Sequence, residues 1–306
     1  MSSHKHYWPH IAIAICTLIW GSTWLAIKIG LEDLPPFLFA GIRFVIASVL
    51  LLALMFFQRI RFPRDRHSWH VMLFLGFFQM LDYAFVFWGE QYIDSGIGAI
   101  IFATMPFFVI ILGYLWLAEH KITGVKIFGT VVSFAGVTVV FLRDIHHIGT
   151  SWMGDVSIIL AALCGAVISV YAKKHADGIH PVVNVTVQMV ICAVCLLAAG
   201  LLTEDTSRLH WTPQSVASIF YLGVFGSAVA FVVYMWVIKK VSVVEAAIIP
   251  VATPLVAVIL GWLVRGEALT VRAMIGCVLI LIGVYFVNVY RSRARTAVQT
   301  IVEDHN

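Results

Sequence analysis

Apolar and polar positions do not alternate finely along this chain. They come in long blocks, in which apolar stretches of membrane length are divided by short polar links rich in Pro, Asp, Lys and Arg. A helix rises ~1.5 Å per residue, so about 20 apolar residues are needed to cross a hydrocarbon layer of roughly 30 Å. Ten runs meet that requirement and are predicted as helices, near residues 10–30, 36–57, 69–89, 95–118, 123–142, 152–172, 181–202, 213–237, 244–264 and 271–290. The expected fold class is therefore an all-α integral membrane protein. The links leave no room for a soluble catalytic domain.

Composition agrees with the pattern. Of the 306 residues, 61% are hydrophobic and 12% are charged, whereas a soluble domain is about a quarter charged. Too few polar groups exist to cover a water-facing surface, so lipid is the expected solvent. The first apolar run lacks a small-residue cleavage site and is followed by many runs like it, so it reads as a spanning helix and not as a signal peptide. All of Cys16, Cys164, Cys192, Cys195 and Cys277 fall in apolar runs, which leaves no loop disulfide. The Cys192/Cys195 pair has no second ligand pair and reads as packing. A net charge of +4, spread over many short links, is not a nucleic-acid footprint. No metal and no cofactor are expected.

Charge also orients the chain. With the N-terminus in the cytoplasm, that side collects Lys5, Arg59, Arg61, Arg64, Arg66, Lys121, Lys126, Lys173, Lys174, Lys239, Lys240, Arg291, Arg293 and Arg295. The other side receives Lys28, Arg143, Arg208, Arg265 and Arg272, and Arg43 stays within the membrane. The positive-inside bias thus predicts cytoplasmic tails at 1–9 and 291–306.

The chain repeats itself. The segment PFFVIILGYLWLAE (106–119) matches PLVAVILGWLVRGE (254–267), with Pro, Gly and Glu each 148 positions apart. PFLFAGIRFVIA (36–47) matches PVVNVTVQMVIC (181–192) at an offset of 145, which sets Arg43 opposite Gln188 and Lys28 opposite Lys173. Residues 10–142 and 152–290 are therefore expected to form two five-helix repeats. Five is odd, so the second repeat should enter the membrane in the opposite sense. Inverted repeats are a common plan of secondary transporters, with the substrate near the midplane between the halves.

Three separated stretches, WGSTWLAIKIGLEDLPPFLFAGIRF, WGEQYIDSGIGAIIFATMPFF and FGSAVAFVVYMWVIKKVSVVEAAIIPVATPLVAVILGWLVRGE, resemble the EamA family of the drug/metabolite transporter superfamily. The resemblance runs over roughly residues 10–290. It implies a ten-helix inner-membrane carrier that exports small metabolites, often amino acids or related solutes, without naming the substrate.

Several residues stand out against this background. Trp20, Gly21, Trp24 and Lys28 follow one face of the first helix. Ser22 adds a hydroxyl, and the glycine admits either a ligand or a neighbouring helix. On the third helix Gln79, Asp82, Tyr83 and Glu90 form a polar stripe. A charge at the bilayer centre costs about 2.5–3.5 kcal/mol by insertion scales, so the stripe should face a wet cavity or a partner. Arg43, at a similar depth, is the expected ion-pair partner of Asp82, serving either as a structural lock or in substrate and proton handling. Trp20, Gly21, Ser22, Gln79, Asp82, Tyr83, Trp88, Tyr234 and Trp236 are the expected cavity lining. Pro106, Pro250 and Pro254 should interrupt the fourth and ninth helices as hinges or static kinks. Gly129, Gly136, Gly276 and Gly283 suit close packing, and Glu119 and Glu267 suit helix ends.

The expected function is a secondary active transporter working by alternating access on a small amphipathic or zwitterionic solute. Protons are the candidate coupling ion, and the protein should act as a monomer or homodimer in the bilayer. A proton-coupled multidrug efflux carrier is the alternative. An intramembrane enzyme would need a nucleophile–base or metal constellation that no motif supplies, and a channel would need a selectivity ring.

Overall fold

The computed structural model describes residues 8–117, 124–141, 151–238, 248–267, 270–272, 274–283 and 285–286, and among them there is no strand. The first half contains α1 (Trp8–Gly30), α2 (Pro36–Phe57), α3 (Arg66–Gly89), α4 (Ser95–Phe102), α5 (Met105–Leu117) and α6 (Gly124–Phe141). The second half contains α7 (Ser151–His175), α8 (Pro181–Thr203), α9 (Pro213–Tyr221), α10 (Ala230–Ile238) and α11 (Ile248–Leu260). A shorter apolar helix, α12, covers Met274–Gly283. Among the described residues seven helices are long and apolar enough to cross a membrane, with α4–α5 and α9–α10 each counted as one.

Local chemistry explains the helix starts. Pro36, Pro181 and Pro213 each stand in a first turn, where a missing N–H removes no helical bond. The Asp65 carboxylate accepts the Ser68 N–H at 2.7 Å and opens α3. Thr212 and Ser215 form a reciprocal capping box at α9.

Among the described residues helices depart from the regular α form at three places, one of them a π-helical end to α11 at Gly261–Arg265. The fourth run is broken into α4 and α5 by a turn in which the Phe107 N–H bonds the Thr104 carbonyl at 2.9 Å. Pro106 lies in the first turn of α5, so it sits where a helix begins and spares the bond that an interior proline would lose. Its repeat mate Pro254 lies inside the continuous α11. Pro250 stands in the first turn of α11, and its side chain lies outside the described residues. Between α9 and α10 the helix is not broken but widened, by a π-helical stretch at Leu222–Val229.

Small residues set the closest approaches. A Cβ on Gly41 of α2 would stand 2.8 Å from the Leu197 main-chain N of α8, and one on Gly200 would stand 2.8 Å from the Leu38 N. These pairs run in opposite directions along the two helices, so α2 and α8 are antiparallel. α3 and α7 are antiparallel as well, with Gly89 against Gly154 at one end and Phe74 stacked on Tyr171 at 3.9 Å toward the other. α1 crosses α9–α10 in the same sense, and packs on α11 through Gly21 and Val256. Gly136 of α6 meets Gly276 of α12. The contact of α3 with α7 is thus repeated, with the halves exchanged, as the contact of α9–α10 with α1, and α2 with α8 maps onto itself. The outward faces carry bare Phe56, Phe57, Leu115 and Leu202. In water such a surface would drive association, whereas in lipid it is the solvated side.

Candidate substrate site

Trp20 of α1 reaches across to the second half. Its indole N–H donates to the Gly226 carbonyl at 3.3 Å, and its ring meets Phe231 and Tyr234 at centroid distances of 5.5 and 5.1 Å. Ser22 Oγ bonds back to the Leu18 carbonyl and pairs with the Tyr221 hydroxyl. Gly21 faces elsewhere. A Cβ there would stand 2.4 Å from Val256 Cβ and 3.1 Å from the Thr253 carbonyl, so this glycine seats α1 on α11 and does not open onto a cavity. The small notch between Trp20 and Trp24 therefore divides its work: Gly21 packs and Ser22 bonds across α9.

Arg43 is 1% exposed, on α2. Its Nε donates to Ser227 Oγ at 3.0 Å, and its guanidinium lies 4.9 Å from the Tyr83 ring, 5.1 Å from Phe44 and 5.7 Å from Phe87. Cation–π contacts of this kind offset part of the cost of burying the charge. Nη1 has no hydrogen-bond partner. A Cβ on Gly226 would stand 2.8 Å from Thr23 Cγ2, so this glycine seats α1, and at 3.4 Å from Arg43 Nη2 it would be in ordinary contact with the head group.

Asp82 is also buried. Its Oδ2 accepts from Gln79 Nε2 at 3.1 Å, while Oδ1 has no partner. The expected ion pair between Arg43 and Asp82 does not form. Ion pairs do form elsewhere, between Arg265 and Glu32 and between Arg208 and Asp205. The reason lies in helix geometry. Tyr83 and Phe87 are four apart and turn toward α2 and Arg43, whereas Asp82, the residue before Tyr83, points about 100° away around α3. Gln188, the repeat mate of Arg43, is buried on α8, which packs on α3.

Of the other expected lining residues, Tyr83 and Tyr234 join the two clusters just described. Trp88 pairs instead with Tyr92 at 5.0 Å, near the end of α3. The Trp236 side chain lies outside the described residues, as does the helix-end residue Glu119. Six contributors escape the sequence reading: Phe44, Phe87, Tyr221, Gly226, Ser227 and Phe231. Ser227 stands 148 positions after Gln79, so the repeat itself could have pointed to it.

One end of the bundle is tied by polar contacts between the halves. The Glu267 carboxylate accepts from Ser95 Oγ at 2.8 Å and from the Ser95 and Gly96 N–H groups at 3.2 Å, capping α4. The Glu204 carboxylate accepts from the Phe37 and Leu38 N–H groups at 2.8 and 2.9 Å, capping α2. Negative charge at a helix N-terminus meets unsatisfied donors and the positive end of the dipole. Arg265 pairs with Glu32, and the Thr212 hydroxyl donates to Asp33. Among the described residues no three His, Cys, Asp or Glu side chains stand together to hold a metal.

A model of the EamA-like transporter family matches residues 7–142 and 152–289. The chain is 31% identical over 280 residues to the uncharacterized transporter YoaV of Bacillus subtilis, covering 90% of this chain and 94% of YoaV. It is 27% identical over 285 residues to the protein PagO of Salmonella typhimurium, covering 92% and 93%. It is 27% identical over 291 residues to the uncharacterized inner membrane transporter YedA of Escherichia coli, covering 94% and 93%. A protein crystal structure shares the fold with a TM-score of 0.68 at 18% identity, over 94% of this chain and 98% of that one.

Proposed function

The chain belongs to the EamA-like transporter family, and from that premise we propose that it is a secondary active carrier of the inner membrane that exports a small zwitterionic or amphipathic metabolite, such as an amino acid, by alternating access. The carrying observation is the pair of buried opposite charges that do not meet. Arg43 keeps an unpartnered donor and Asp82 an unpartnered acceptor, among helices contributed by both repeats. Ionisable groups at membrane depth are costly and mark substrate or ion paths. A zwitterion supplies what each lacks, with a carboxylate for the Arg43 donor and an ammonium for Asp82. The Trp20, Phe231 and Tyr234 rings provide an apolar wall for its side chain.

The reading takes the chain as ten helices in two inverted repeats, with both termini cytoplasmic. The antiparallel course of α2 and α8 supports it, because these are segments that match in sequence at an offset of 145. Function is then a matter of rocking one repeat against the other. Protons are the proposed coupling ion. A multidrug efflux carrier would share the aromatic wall, but a buried guanidinium beside it disfavours a lipophilic cation.

Full-length protein in liposomes loaded with amino acids provides the test. Saturable uptake of labelled solute with counterflow is expected. Unsaturable current, or chemical conversion of the solute, would overturn the carrier.

A further inference from the structure

Glu90, at the C-terminal cap of α3, is 0% exposed, and neither of its carboxylate oxygens has a hydrogen-bond partner. Its neighbours are charged, yet each is bound to something else. Lys28 on α1 sends its ammonium to the main-chain carbonyls of Glu90 and Ile93, at 2.7 and 2.6 Å. Those are carbonyls at and just past the end of α3, where a cation is favoured. Glu267 is within electrostatic reach and is saturated by the N-terminus of α4. Arg43 on α2 bonds Ser227, Arg265 pairs with Glu32, and Asp94 is within electrostatic reach of Lys28. On α7, Gly154 packs on Gly89, and the next residue, Asp155, has a partner of its own.

A carboxylate enclosed without a single donor is far costlier ionised than neutral. It becomes easy to ionise only when water reaches it. Here water is held off by Glu267 on α4, which ties the two halves at this end, and by Lys28 of α1 across the α3–α4 link within the first half. Enclosure and ionisation of Glu90 therefore exclude one another.

We propose that Glu90 is a proton-binding site of the carrier, holding a proton while the Lys28–Glu267 end is closed and releasing it to water when that end opens. The balance is one proton: carboxylic acid in the closed form becomes carboxylate plus an aqueous proton in the open form. Closed protein binds the extra proton, so low pH favours closure of this end and rising pH favours opening. At an offset of 148 the mate of Glu90 is Ile238, so the device has no counterpart in the second repeat. This inference rests on the alternating-access reading, and it assigns the proton to Glu90 in place of Asp82.

Spin labels on the full chain test it. Gln91 and Leu263, both exposed, flank the proposed opening on α3–α4 and beyond α11. With Cys16, Cys164, Cys192, Cys195 and Cys277 replaced, labels at Gln91→Cys and Leu263→Cys report the distance by pulsed electron resonance at pH 5.5 and pH 8.5. A longer distance should gain population at the higher pH. Glu90→Gln should hold the short distance at both pH values, while Glu90→Asp and Glu267→Gln should still respond to pH. A pH response that survives in Glu90→Gln, or its absence in the parent, overturns the proposal; so does its loss in Glu90→Asp. Counterflow on the same samples separates the two readings. Flux without a pH-dependent distance removes the proton site alone, and a pH-dependent distance without flux removes the carrier alone.

Discussion

Arg43 and Asp82 sit on adjacent helices, both buried, and do not bond each other: the guanidinium takes Ser227 and three aromatic rings, and the carboxylate takes Gln79. Each leaves one polar atom unsatisfied. A hydrogen bond to a charged group contributes about 1.5–3 kcal/mol, which corresponds to roughly 10–100-fold in affinity. Arg43→Gln and Asp82→Asn should each raise the KM for a zwitterionic solute by about that factor in counterflow assays, with protein abundance in the membrane retained. Equal KM values in wild type and both variants would mean that the charges serve folding only.

Trp20 makes one hydrogen bond and two ring contacts to the second repeat. Trp20→Phe keeps the ring and loses only the N–H donor, whereas Trp20→Ala loses both. Aromatic pairs contribute about 0.5–1.5 kcal/mol each beyond their buried area. Flux should fall in the order wild type, Phe, Ala, while membrane abundance stays level. Abundance falling in step with flux would assign Trp20 to packing.

Gly41 and Gly200 meet main-chain atoms, which cannot rotate away, whereas a Cβ on Gly113 would meet nothing within 4 Å. Gly41→Ala and Gly200→Ala should destabilise the α2–α8 contact by about 1–3 kcal/mol. Gly113→Ala should be neutral, or stabilise by up to about 1 kcal/mol through helix propensity. Thermal unfolding in detergent, read by tryptophan fluorescence, ranks the three. Comparable melting points for Gly41→Ala and Gly113→Ala would contradict the close approach of α2 and α8.

The proposed topology places both chain ends in the cytoplasm. Reporter fusions at the two ends, read in intact cells and in inverted vesicles, should give the same side for each. Opposite sides would require an odd number of spans and would remove the inverted repeat.

Much of this molecule is legible in its pattern. Apolar runs of membrane length, flanked by prolines and cap residues, dictate helices because a bilayer leaves the backbone no other way to satisfy its polar groups. Repeats at offsets of 148 and 145 pair the helices before any contact is known. The polar stripe on the third run is visible because buried charge is rare. Glu267 is legible as a helix-end residue, since repeat matching puts it at the edge of a run.

Three-dimensional packing settled the rest. Gly21 and Ser22 are adjacent in sequence, yet one seats α11 and the other bonds α9, and only the placement of those two helices around α1 assigns the tasks. Arg43 and Asp82 share a depth but not a helix face, because neighbouring residues on α3 point about 100° apart. The break before Pro106 and the widened turn at Gly226 depend on what lies alongside each helix, which periodicity does not record. One-dimensional pattern determines which segments must leave water, because that cost is local and additive. Which side chains then meet is decided by contacts between residues distant along the chain, as with Trp20 and Gly226, whose separation of 206 positions no local rule could bridge.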